Sequence, residues 1–118
     1  MTDTSTPTPQ IVVLVRDLMF SGRIGAEARA AGAPVRMIRD PLKLTDIPGR
    51  LLIVDLNLDG ALEAARTWRD ASPGRRVVAF VAHTDTELIA AARAAGIDQV
   101  IPRSRFVEVL PELLTTIA

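Results

Sequence analysis

Carboxylates that follow apolar runs are the side chains of this sequence best suited to chemistry. Asp55 directly follows the run Leu51–Val54, and Asn57 stands two residues further on. Asp17 lies just beyond a second apolar run, Ile11–Val15. A continuous Val/Ile/Leu run bounded by turn residues is typical of a strand buried on both faces of a parallel sheet. Open α/β sheets place their chemistry at the carboxyl ends of such strands, which is where Asp55 would stand.

Spacing alone leaves two interpretations of Asp55 open. A carboxylate at the end of a central strand costs free energy unless it is solvated, paired or bound to a metal. It therefore either forms part of a chemical site, or it caps the next helix or opens the turn that follows.

Composition excludes several classes of protein. The 118 residues, 48% of them hydrophobic, suffice for one domain with a genuine core. The 14 basic and 14 acidic residues balance, which favours neither a nucleic-acid nor a membrane surface. With no cysteine and one histidine, disulfides and Cys- or His-cluster metal sites are excluded. No apolar run is long enough to cross a membrane, and residues 1–9 lack the features of a signal peptide, so we expect a cytoplasmic protein.

Strand and helix patterns alternate along the rest of the chain. Strands are predicted at 11–15, 34–38, 51–55, 76–82 and 98–101, and helices at 21–31, 61–71, 85–96 and 106–117. Segment 40–50 contains two prolines and a glycine, so the element there should be short or irregular. Trp68 is predicted to lie in the core. Phe106, Leu110, Leu113 and Ile117 should form the core stripe of the last helix, although Pro111 interrupts that pattern.

The alternation predicts one α/β domain with a doubly wound parallel sheet. Right-handed crossovers would place helices on both faces of the sheet. This domain should span residues 10–118, after a Thr/Pro-rich and disordered tail at 1–9.

Three segments resemble the response-regulator receiver (CheY-like) family. Residues 52–58 resemble its phosphoacceptor strand, with Asp55 at the acceptor position, and residues 77–83 resemble its fourth strand. Residues 94–104 resemble its fifth strand, in the Pro-Lys-Ser version found in receivers that carry helix-turn-helix output domains. The resemblance implies a flavodoxin-like, five-stranded parallel sheet with strand order 2-1-3-4-5.

The resemblance also implies a chemistry. In the family, an aspartate attacks a phosphoryl group while Mg²⁺ bridges the carboxylate and the transferred oxygens. Two acids after strand 1 help to hold the metal, and a Thr or Ser on strand 4 and a Lys on strand 5 bind the new phosphoryl group. Here Asp17, Asp55 and Asn57 stand where they could contribute to an acidic pocket and to a weak Mg²⁺ site.

Four positions depart from the family pattern. Arg16 stands at the first acid, Val81 at the hydroxyl, Arg103 at the Lys and Val100 at the aromatic residue that reports phosphorylation. An arginine is not equivalent to a lysine, because its planar fork differs from a compact ammonium. These departures argue against the standard phosphorylation switch.

Guanidinium groups would supply the charge that Mg²⁺ normally provides. We therefore expect Asp17, Asp55, Arg16 and Arg103 to share one pocket, with two parallel hydrogen bonds from an arginine to Asp55. Mg²⁺ should then bind weakly or not at all, and Arg16→Asp should raise the affinity.

Three functions remain open at this point. The first is a degenerate receiver that binds a protein partner without being phosphorylated. The second is a stand-alone response regulator that a histidine kinase still phosphorylates on Asp55. The third is a flavodoxin-like domain that binds a small molecule. Asp17–Gly22 weakly resembles a cobalamin-binding loop, but Met19 replaces its histidine.

An enzyme is not expected, because His83 has no nearby Ser or Cys nucleophile motif. Val107, Val109 and Leu114 add apolar surface outside the predicted core stripe of the last helix. A protein partner or a second copy should therefore bind the face formed by the helix before strand 5, strand 5 and the last helix. Direct contact with nucleic acid or a membrane is not expected.

Overall fold

Five parallel strands form one sheet in the order β2-β1-β3-β4-β5. The computed structural model describes residues 10–82 and 84–117, and the side chains of residues 116 and 117 are not described. The strands are β1 (Ile11–Leu14), β2 (Val35–Ile38), β3 (Leu51–Asp55), β4 (Arg76–Val81) and β5 (Gln99–Pro102). The predicted strand order is confirmed. The predictions made for the tail at 1–9, for His83 and for the side chain of Ile117 lie outside the described residues.

Four α-helices and one 3-10 turn connect these strands in the described part of the chain. The helices are α1 (Leu18–Ala31), α2 (Ala61–Asp70), α3 (Thr86–Ala94) and α4 (Arg103–Ile117). Segment 40–50 forms only the 3-10 turn Pro41–Lys43, as its prolines predicted. No helix in the described ranges has the length and apolarity needed to cross a membrane.

Helix α1 begins three residues earlier than predicted. The carboxylate of Asp17 accepts hydrogen bonds from the backbone N–H groups of Met19 and Phe20, at 2.8 and 3.2 Å, and so caps the helix. Gly32 ends it in the left-handed conformation, at φ 69°, as predicted.

Two hydrophobic layers cover the two faces of the sheet. Helices α1 and α4 pack on one face, and α2, α3 and the segment around the 3-10 turn pack on the other. The central strands β1 and β3 are buried on both faces, which is why their sequences are apolar without alternation.

Trp68 anchors the segment that connects β2 to β3. Its side chain is fully buried, as predicted, and its indole N–H donates to the carbonyl of Ile47 at 2.7 Å. Arg75 stacks over the indole ring, 4.3 Å from the centroid, and also donates to the carbonyls of Gly49 and Trp68. These contacts hold the irregular segment between β2 and β3 against the sheet, at a place where the chain forms no full helix.

The predicted core stripe of α4 is wrong in its second half. Phe106, Leu110 and Leu114 are fully buried, whereas Leu113 is only half-buried. Both leucines fit helical spacing from Leu110, so periodicity could not choose between them. The helix packs through its i, i+4 row, which is one of the two ridges a helix can present. Leu114 is therefore a core residue, and its predicted role as interface surface is incorrect.

We expect Leu114→Ala to lower the free energy of unfolding by about 2–5 kcal/mol, because it leaves a cavity under α4. The matched variant Leu113→Ala should cost only about 1 kcal/mol or less, since this side chain already contacts solvent. Urea denaturation of both variants measures the difference. Equal losses would contradict the orientation of the helix.

Candidate functional site

Asp55 is the buried carboxylate of the described core. It ends β3 opposite Phe80 of β4, and the residue is only 6% exposed. Its Oδ1 accepts the backbone N–H of Asn57 at 3.0 Å, and its Oδ2 accepts Nη2 of Arg103 at 3.0 Å. Both carboxylate oxygens therefore have a donor, which compensates for their removal from water.

Arg103 reaches Asp55 from the first position of α4, immediately after β5. The side chain of Arg103 is 36% exposed, and a single N–H···O contact joins the two groups. The predicted pairing is present, but the predicted pair of parallel hydrogen bonds is not. The guanidinium contacts the carboxylate through Nη2 alone, and its buried Nε has no hydrogen-bond partner among the described residues.

Aromatic rings surround the inner part of this guanidinium. Its central carbon lies 5.4 Å from the ring centroid of Phe20 and 5.9 Å from that of Phe80. Phe80 stacks in turn on Phe106, with centroids 4.5 Å apart, and on Phe20, at 5.0 Å. These are the three phenylalanines of the chain, and they form one cluster. The positive charge thus lies against ring faces that attract cations.

Asn57 connects the site to the loop between β4 and α3. Its side-chain oxygen accepts the backbone N–H of Ala82 at 2.8 Å, and its Nδ2 donates to Oδ2 of Asp85 at 3.2 Å. Asp85 itself caps α3 by accepting the N–H of Leu88. The side chain of Asn57 thus links the loop after β3 to the loop before α3.

Arg16 and Asp17 do not join Asp55, contrary to the prediction of one shared pocket. Arg16 and Arg39 donate to each other's backbone carbonyls, at 3.5 and 3.3 Å, and both residues are exposed. Asp17 is turned toward its own helix by the capping hydrogen bonds. The sheet order places the ends of β1 and β3 side by side and β5 beyond β4. Each side chain nevertheless forms its hydrogen bonds locally, and the sequence did not predict these bonds.

Val81 and Val100 take hydrophobic places beside the site. Val81, at the end of β4, is fully buried in the layer that contains Trp68. Val100 on β5 is half-buried against the same layer. Neither side chain can donate a hydrogen bond to a phosphoryl group, and Val100 has no ring that could report one.

The residues present do not fit the Mg²⁺ ion that receiver chemistry implies. Arg103 holds one oxygen of Asp55, and Asp17 is engaged as a helix cap. Within the described ranges, no three His, Cys, Asp or Glu side chains are grouped in a way that could hold a metal ion. A guanidinium beside the carboxylate disfavours a dication there.

Sequence reasoning missed Phe20, Phe80 and Asp85. The sequence did contain a signal for the two rings. Phe80 is the second-to-last residue of β4, and Phe20 lies in the first turn of α1, the helix that follows β1. Both positions lie at the carboxyl edge of the sheet. Asp85 stands at the start of the helix predicted at 85–96, but its bond to Asn57 carried no sequence signal.

Solved structures similar to this chain are response regulators and their receiver domains. A response regulator from Thermotoga maritima superposes with a TM-score of 0.71 at 21% identity, covering 94% of this chain and 98% of its own. A CheY-like receiver domain protein from Methanospirillum hungatei JF-1 gives 0.74 at 16% identity, with 93% and 96% covered. The BeF3-activated receiver domain of DrrB gives 0.76 at 15% identity, with 91% and 94% covered. No family model and no curated protein sequence matches the chain.

The chain therefore has the CheY-like receiver fold, which is the flavodoxin-like class predicted from its sequence. The similarity extends over nearly the whole chain at low identity, so it establishes the architecture of the domain. What distinguishes this domain lies in the site described above, where an Arg–Asp pair occupies the carboxyl edge of the sheet.

We expect Asp55→Asn and Arg103→Met each to lower the free energy of unfolding by about 1–3 kcal/mol. This is less than the loss for a fully buried pair, because Arg103 is partly exposed and screened by water. Asp59→Asn, at an exposed position four residues on, is the matched control and should be nearly neutral. Thermal and urea denaturation of both single variants and the double variant measure the coupling. An Asp55→Asn variant that melts above the wild type would contradict a stabilising pair.

Proposed function

We propose that this domain is a receiver-fold protein-interaction module that works without phosphorylation of Asp55. The contact between Arg103 and Asp55 is the observation that carries the proposal. Under this proposal Asp55, at the acceptor position, stabilises the fold, and the domain signals by binding a protein partner. We also propose that it has no enzymatic activity of its own.

The electrostatics of the pair support this proposal. A carboxylate attacks a phosphoryl group with its lone pairs, and hydrogen bonding to a cation makes those lone pairs less available. The cation is held by aromatic rings and by the start of a helix, so displacing it has a cost. With Val81 in place of a hydroxyl, a phosphoryl group on Asp55 would also lack one of its hydrogen-bond donors.

A second candidate is a response regulator that a histidine kinase phosphorylates on Asp55. One observation favours it: Asp55 keeps its place at the carboxyl end of β3, and a single hydrogen bond from a partly exposed arginine leaves a route by which the carboxylate could be released. The two candidates differ in whether a phosphoryl donor modifies the protein.

We expect no phosphoryl adduct after incubation with acetyl phosphate and Mg²⁺, and no sub-millimolar Mg²⁺ affinity by calorimetry. The reason is the guanidinium on Asp55 and the arginine at the position of the first acid. Intact mass spectrometry measures the adduct, with Asp55→Asn as the negative control. An adduct that forms on the wild-type chain and is lost in Asp55→Asn would favour the second candidate.

A variant that restores the family residues tests the cause. Combining Arg16→Asp, Val81→Thr and Arg103→Lys returns one metal-binding residue and two phosphoryl-binding residues to the same fold. If the ion pair is what blocks the chemistry, the restored chain should bind Mg²⁺ more tightly than the wild type and accept phosphate on Asp55. A restored chain that folds but stays unmodified would assign the block to another feature.

We further propose that a partner protein or a second copy binds the face formed by α3, β5 and α4. Val109 is half-buried on α4, and Val100 is half-buried on β5. Val107, which is also half-buried, instead lines a depression with Met19, Phe20 and Arg23 of α1, so it does not belong to this face. Half-buried aliphatic side chains keep apolar area exposed on this face while the core row of α4 is already filled by other residues.

We expect Val109→Glu to abolish self-association or partner binding while leaving the fold intact, because this side chain is only half-buried. Small-angle scattering over a concentration series measures self-association. The control variant is Thr115→Glu, which changes an exposed position of the same helix. A protein that stays monomeric at high concentration and keeps every partner interaction in Val109→Glu would refute the proposed face.

A further inference from the structure

A shallow groove runs between α1 and the edge strand β2, away from the face just discussed. One side consists of Leu18, Gly22 and Gly25, which recur at i, i+4 and i+7 along α1. Met37 of β2 forms the opposite side, and Val15 also lines the groove. Its volume is about 350 Å³, at the lower end of the range for ligand pockets. We call it the α1–β2 groove.

Two glycines keep this groove open. A Cβ atom added at Gly22 would meet nothing within 4 Å. One added at Gly25 would make ordinary contacts with the terminal methyl of Met37, at 3.5 Å, and with Nη1 of Arg29, at 3.9 Å. Glycine inside a helix is disfavoured relative to alanine, and neither position has a backbone conformation that requires it. The local structure thus lacks a steric reason for these glycines, and their effect is an empty space beside the helix.

Large apolar side chains lie exposed at the edges of this space. Leu18 is 71% exposed and Met37 is 39% exposed. Single exposed aliphatic residues are ordinary, but here two of them flank one concave and mainly apolar surface. Such a surface gains free energy when an apolar side chain fills it.

Two arginines bring positive charge to the groove, Arg29 and Arg39. The segment from residue 11 to residue 39 contains five arginines against two carboxylates, for a net charge of +3 in a chain whose total is zero. Arg29 and Arg39 line the groove itself. In the part of the chain that the structure describes, neither of them forms an ion pair, and the bond of Arg39 goes to a neutral carbonyl. The field around the groove is therefore suited to carboxylates.

We propose that the α1–β2 groove binds a segment of a partner protein that presents large apolar side chains flanked by carboxylates. The apolar side chains fill the space over Gly22 and Gly25, and the carboxylates pair with Arg29 and Arg39. A membrane surface fits less well, because a flat bilayer cannot fill a groove. A nucleic acid fits less well, because the groove is mostly apolar. The inference rests on the proposed function, since it describes a partner of the same interaction module.

The test uses the full chain and a synthetic, fluorescein-labelled peptide of leucine and glutamate. Fluorescence anisotropy should show saturable binding, and amide shifts in ¹⁵N-labelled protein should cluster in residues 15–25 and 36–39. A peptide with lysine in place of glutamate, and another with serine in place of leucine, should bind far more weakly. Vesicles containing phosphatidylglycerol test the membrane alternative.

Two variants locate the binding. Gly22→Leu should weaken peptide binding by at least about tenfold, because it fills the groove. The same change should raise the melting temperature, which excludes unfolding as the cause. Arg29→Glu with Arg39→Glu should weaken binding similarly, whereas Arg93→Glu on α3 should leave it unchanged.

Absence of peptide binding, shifts elsewhere on the protein, unchanged affinity in Gly22→Leu, or binding to vesicles in place of the peptide would each overturn this inference. The phosphorylation assay is independent of these readouts. If Asp55 accepts phosphate while Gly22→Leu still abolishes peptide binding, the proposed function fails and the groove stands. If the peptide does not bind while Asp55 stays unmodified, the groove fails and the proposed function stands.

Discussion

The contact between Arg103 and Asp55 joins the main parts of this domain. Asp55 belongs to the central strand β3, and Arg103 opens α4 directly after the edge strand β5. A carboxylate that is 6% exposed must be compensated, and here a backbone N–H and a guanidinium share that task. The pair therefore fixes where α4 begins relative to the sheet, and through α4 it fixes the layer that this helix shares with α1.

The aromatic cluster explains why an arginine can occupy this place. A guanidinium is weakly hydrated and can lie against ring faces, whereas a compact ammonium would keep more of its water. Phe20 and Phe80 contribute those faces, and Phe106 packs behind them as part of the core row of α4. Phe20 and Phe80 thus hold the charge, and together with Phe106 they seal the hydrophobic layer between α1, α4 and the sheet.

The fold could be predicted because its sequence signals extend over whole strands and helices. The site could not be predicted to the same extent, because it depends on individual hydrogen bonds. The runs at β1 and β3 read as doubly buried strands, and the prolines near residue 40 predicted the missing helix. Periodicity could not separate Leu113 from Leu114, because both continue a helical stripe. Arg16 was placed with Asp55 because strand order brings their strands together, but a carbonyl of a neighbouring loop offered it a nearer partner. Topology sets which residues can meet, and local hydrogen bonding decides which of them do.

A chain of hydrogen bonds extends from this site to the start of α3. Arg103 donates to Asp55, the backbone of Asn57 donates to the same carboxylate, and the side chain of Asn57 holds both Ala82 and the α3 cap Asp85. In a domain that switches between two states, the loops joined by these hydrogen bonds must have two arrangements of similar free energy. Here both oxygens of Asp55 and both polar ends of the Asn57 side chain already have partners without any phosphoryl group, so this arrangement is favoured in the unmodified protein. A partner that binds the α3–β5–α4 face would meet a surface already in place and would spend little free energy on ordering it.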